Sequence, residues 1–92
     1  MAATITVGSG IPIAGKDNAI TTTPAAFAPQ LCTEVVVQAS NNNSDWVLLG
    51  DATSQLLELI PGQSLVLLLT NMSLLWRASR SGTQTVNWLV RT

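Results

Sequence analysis

The sequence predicts an all-β fold, a small antiparallel β-sandwich or jelly-roll-like barrel of about 6–8 strands with an extended N-terminal arm. Three observations carry that expectation. Short stretches of alternating or continuous apolar residues recur about every 8–12 positions, with Gly, Pro, Asn or Ser turns between them. No stretch sustains an apolar stripe at helical spacing. Hydrophobic residues make up 47% of the 92 residues and charged ones only 10%, which excludes disorder, because disorder needs low hydrophobicity and high charge.

Taken in order, residues 1–15 read as an N-terminal arm or edge strand and residues 16–92 as the sandwich domain. In AATITVG, Ile5 and Val7 alternate with Thr4 and Thr6. Pro12, between Ile11 and Ile13, suits an edge, since proline cannot donate to a central ladder. Gly15–Asn18 is a turn signal, Ala19–Thr23 a further strand candidate, and Pro24–Pro29 an extended piece or a single helical turn.

The first strong strand is CTEVVVQA at Cys32–Ala39, with Val35, Val37 and Ala39 on one face. The polar turn Ser40–Asp45 leads to a strand at Trp46–Gly50. A strand at Leu56–Ile60 ends at Pro61-Gly62, a pair that suits the centre of a type II turn. Ser64–Leu69 then carries Leu65, Leu67 and Leu69 on one face and Val66 and Leu68 on the other, so it is apolar on both. A small domain has one core, and the second face of this strand needs other cover. Leu74–Ser79 follows, with Leu74, Trp76 and Ala78 assigned to the core side. Gln84–Arg91 alternates: Val86, Trp88 and Val90 point inward, and Leu89 is an outward apolar exception. The expected core is therefore Val35, Val37, Leu65, Leu67, Leu69, Trp76, Val86, Trp88 and Val90. Trp46 follows a polar turn and is the tryptophan expected to be exposed. Trp46, Val66, Leu68 and Leu89 are the candidate self-association or partner contacts.

Chemistry has few carriers in this chain. Histidine is absent, which removes the usual general base, the Ser-His-Asp and Cys-His arrangements and most zinc sites. Cys32 is the single cysteine and reads as a small core residue. Asp17, Glu34, Asp45, Asp51 and Glu58 show no spacing that marks a catalytic pair or a metal site, and no phosphate-cradling glycine loop is present. The expectation is a protein that is not an enzyme, with no catalytic residues, cofactor or metal. Four basic residues and a net charge of −1 argue against nucleic acid as a partner. Apolar runs far shorter than the ~20 residues of a membrane-spanning helix argue against a membrane. A chain so poor in charge would expose much uncharged surface by itself, so oligomerisation or docking on a larger assembly is expected.

The segments Cys32–Ala39, Val47–Asp51 (VLLGD), Pro61–Ser64 (PGQS), Asn71 and Val86–Trp88 (VNW) together resemble small β-sandwich virion proteins of tailed bacteriophages. In these a Cys-x-Glu-Val strand leads to a hairpin ending in Val-Gly-Asp, followed by a Pro-Gly-Glu-Ser-like turn and a terminal Val-x-Trp strand. The resemblance spans residues 32–91, with Leu49 where valine and Gln63 where glutamate are common. It implies a capsid decoration, or cement, protein that binds over junctions of the major capsid protein and stabilises the head. It further implies a homo-oligomer, a trimer or a dimer with the trimer favoured, made in the host bacterial cytoplasm and placed on the outer surface of the virion. A tail, neck or head-fibre component and a carbohydrate-binding adhesin module using Trp46 are the alternatives.

Overall fold

The structure, a computed structural model, describes residues 12–92. The expected arm at residues 1–11 lies outside the described residues, while residues 12–15 open the first strand. Among the described residues eight strands run β1 (Pro12–Ile20), β2 (Ala25–Ala26), β3 (Glu34–Ala39), β4 (Val47–Gly50), β5 (Gln55–Leu59), β6 (Ser64–Leu67), β7 (Trp76–Ser79) and β8 (Gln84–Arg91). They form two antiparallel four-stranded sheets, ordered β1-β8-β3-β6 and β2-β7-β4-β5, which sandwich one core. A 3₁₀ turn at Met72–Leu74 precedes β7, with Asn71 as its N-cap.

The alternation in the sequence sets which face is buried. Val35, Val37 and Ala39 of β3 and Val86 and Val90 of β8 meet Val47 and Leu49 of β4, Leu59 of β5, Phe27 and Met72 in a buried cluster. Leu65, Leu67, Leu69 and Trp88 are partly buried against it. Two turns carry glycine for a backbone reason: Gly62, after Pro61, has φ +86° and Gly82 has φ +64°, conformations that cost other residues strain.

Three expectations are corrected. Leu74 is not on the core side of a strand: it closes the 3₁₀ turn and is 59% exposed. Trp76 is not core either. Leu75 is buried and Arg77 stands across from buried Leu49 on the inner face, so Trp76 falls on the outer face, opposite Gly50 and Ala26. The 3₁₀ turn is the cause. Its C-cap Leu75 enters β7 pointing inward, which fixes the parity of every residue after it. Gly15–Asn18 is not a turn but part of β1. The polar residues there are absorbed by a register shift between Asp17 and Ile20 against β8, where the Asp17 carboxylate accepts from the Ala19 N–H at 3.1 Å.

Candidate interaction surface

A sandwich has two long margins where the edge strands of its sheets lie over one another. The cleft shared by Asp17 of β1 and Ala26 of β2 puts these two at one margin, and the short turn from Leu59 to Ser64 joins β5 to β6 at the other. They are built from opposite kinds of side chain.

At the β1/β2 margin Asp17 points inward across from Val86 and meets Arg77 of the opposing sheet. Arg77 Nε and Nη2 both reach Asp17 Oδ2, at 2.8 and 2.7 Å, and the two side chains are only 12% and 17% exposed. The guanidinium also lies 5.7 Å from the centre of the Phe27 ring. Lys16, Asp17, Phe27, Arg77 and Trp88 line a cleft of about 430 Å³ here. The Asp17 and Arg77 charges within it are paired with one another, so the arrangement acts as a polar clasp joining the two sheets.

At the β5/β6 margin the residues are large and apolar. Leu56 is 80% exposed, Leu68 79%, Leu57 52%, Ile60 48% and Val66 46%. Val66 stands across from Val36 on the outer face of its sheet, and Val36 stands across from Leu89, which faces Ala14. An apolar row thus crosses the whole outer face. Polar rows flank it, with Arg91 and Glu34 forming an ion pair at 3.4 Å on one side and Lys16, Asn87, Gln38 and Ser64 on the other. Of the four candidate contact residues, Val66, Leu68 and Leu89 gather on or beside this face.

Trp46 lies elsewhere. It is half-buried on the other sheet, with the Arg80 guanidinium 3.9 Å from its ring centre. Asp45 holds that cation at 2.7 Å and accepts from Ser81 Oγ and from the Trp46 N–H. These hydrogen bonds, led by that of Ser81, hold the Asp45 carboxyl below its ordinary pKa, with Arg80 adding to the effect. Asp51 is lowered likewise, first by the Thr53 hydroxyl and then by the N–H groups of Thr53 and Ser54. Burial pushes the Cys32 thiol up, and its Sγ–H donates to the Leu69 carbonyl at 3.2 Å. A thiol held protonated is a poor nucleophile. Among the described residues no three Cys, Asp or Glu side chains converge as a metal site would require.

Comparison with protein-family models, with curated proteins and with solved structures gives no match.

Sequence reasoning did not single out Leu56, Leu57 or Ile60. The adjacent pair Leu56-Leu57 was the available signal, because neighbours in a strand point to opposite faces and only one of them can enter a core. It also missed a polar latch. The Asn43 side chain donates to the Thr85 carbonyl and accepts from its N–H, both at 2.8 Å. Gln84, 2% exposed, bonds Ser44 and the Ser81 carbonyl. Together they pin the β3–β4 loop to the start of β8.

Proposed function

We propose that this chain is a structural protein of a tailed-bacteriophage particle, acting as a capsid decoration protein. On this reading it binds over junctions of the major capsid protein on the outer surface of the head and stabilises the shell by contact rather than chemistry. It is made in the host bacterial cytoplasm and works as a homo-oligomer. The observation that carries the reading is the exposed apolar margin of Leu56, Leu57, Ile60, Val66 and Leu68 on a chain only 10% charged. Exposed apolar surface gathered in one region marks a site of association. The resemblance of residues 32–91 to small virion proteins supplies the setting.

The copy number of the chain relative to the major capsid protein in purified particles tests this. A ratio of the same order supports a lattice-wide decoration protein. A handful per particle transfers the chain to the tail, neck or head fibre, and absence from particles ends the virion reading. The adhesin alternative relied on a free Trp46 ring, and Arg80 stacks on that ring.

A further inference from the structure

We infer that β6 of one copy pairs antiparallel with β6 of a second copy about a two-fold axis at Val66, joining two four-stranded sheets into one of eight strands. This contact does not rest on the virion role, since it concerns only the chain and itself.

The backbone phase of β6 is the first support. Gln38 stands across from Ser64, and the Ala39 N–H donates to the Gln63 carbonyl at 2.9 Å. Hydrogen-bonded and non-hydrogen-bonded pairs alternate along an antiparallel ladder. Leu65 and Leu67 therefore exchange bonds with Val37 and Val35, while Ser64 and Val66 turn their N–H and C=O groups to the open side.

The second support is a comparison of edges. Among the described residues four strands are edges, and three of them carry features that discourage pairing. β1 has Pro12, Lys16, Asp17 and a register shift. β2 is two residues long and follows Pro24. β5 has Glu58 and a register shift at its start. β6 has none: Ser64–Thr70 contains neither charge nor proline.

The third support concerns the occupant. A two-fold contact must be self-complementary, and about Val66 this strand is. Val66 meets Val66, Leu67 meets Leu65, and Leu68, 79% exposed, meets Ser64. No like charges oppose one another because the strand has none. The two Val66 residues would exchange both N–H···O bonds. Of the trimer and dimer that the virion resemblance implies, this contact makes a dimer.

Sedimentation and light scattering of the full chain over micromolar concentrations test the inference, together with two variants. The full chain is expected to dimerise. Val66→Lys is expected to remain monomeric over the same range with an unchanged far-ultraviolet spectrum, because Val66 is a 46% exposed edge position. Val66→Cys is independent of that variant's folding. Hydrogen-bonded antiparallel partners have Cα atoms ~5.5 Å apart, within the ~4.4–6.8 Å reach of a disulfide. Mild oxidation should then give a covalent dimer, while Leu56→Cys, off the axis, should not; Cys32 is buried and does not compete. A monomeric full chain, a trimer, or an oligomer untouched by Val66→Lys overturns the inference. So does an oligomer that is instead abolished by Thr6→Pro, which would make the N-terminal residues of another copy the occupant.

Discussion

At Gly15 a Cβ would lie 2.1 Å from the Trp88 ring, because the two residues face each other across β1 and β8. The indole occupies the space a side chain would need, so this glycine is required for room rather than for a turn. Gly15→Ala should destabilise the domain by about 1–3 kcal/mol, the usual cost of overpacking, measured by urea denaturation with tryptophan emission as the probe. Asp17 and Arg77 make a second residue-scale case. Each is mostly withdrawn from water, and removing one leaves the other charge unsatisfied. Asp17→Ala and Arg77→Ala should each cost about 2 kcal/mol, less than a fully buried pair because both keep some solvent. The double variant should cost clearly less than the sum. Additive effects in that cycle would show that the clasp contributes nothing as a pair.

At the scale of strands, β4 and the β5/β6 margin should respond differently to the same change. Leu49 is fully buried, and Leu49→Ala should cost about 2–5 kcal/mol. Leu56→Ser and Leu68→Ser remove side chains about four-fifths exposed, and each should move stability by no more than about 0.5 kcal/mol. Their effect should be on association, read by sedimentation. A large loss of stability from either would mean that the leucines are packed within one chain. The strands also show what the sequence disclosed. The two-sheet class, the inward faces of β3, β6 and β8 and the outward placement of Val66, Leu68 and Leu89 followed from period-two alternation, which a half-buried strand cannot disguise. Trp76 escaped because alternation gives two faces without saying which is inner, and the 3₁₀ turn before β7 decided it. Lys16 and Asp17 escaped for another reason: a polar pair beside Gly15 reads as a turn unless its partner, Arg77, is known to lie opposite. The clasp and the latch of Asn43 and Gln84 join positions distant in the chain, and no local pattern announces them.

Over the whole molecule, stability should depend on acid in a specific direction. Asp45 and Asp51 have folded-state pKa values below the ordinary 3.8, so the folded state binds their protons less readily than the unfolded chain. Their contribution is complete above about pH 5 and is lost as pH falls through the ordinary value toward the lower folded-state values. Urea midpoints should therefore drop between pH 5 and pH 2, and Asp45→Asn should flatten part of that fall. Both groups are at the surface, so the effect should be modest and weaken with salt.

Sheet order also governs how the chain is made. β8, the last of the described strands to be synthesised, lies between β1 and β3. Until β8 has left the ribosome β1 waits without its ladder partner in this sheet, and β3 has only β6 beside it. That sheet is built almost wholly from distant pairings, which are slow to form. A ribosome stalled before residue 84 would carry a nascent chain with its valine-rich β3 open to neighbouring polysomes. The cell's chaperones, rather than the domain's own core, would have to keep such a chain soluble.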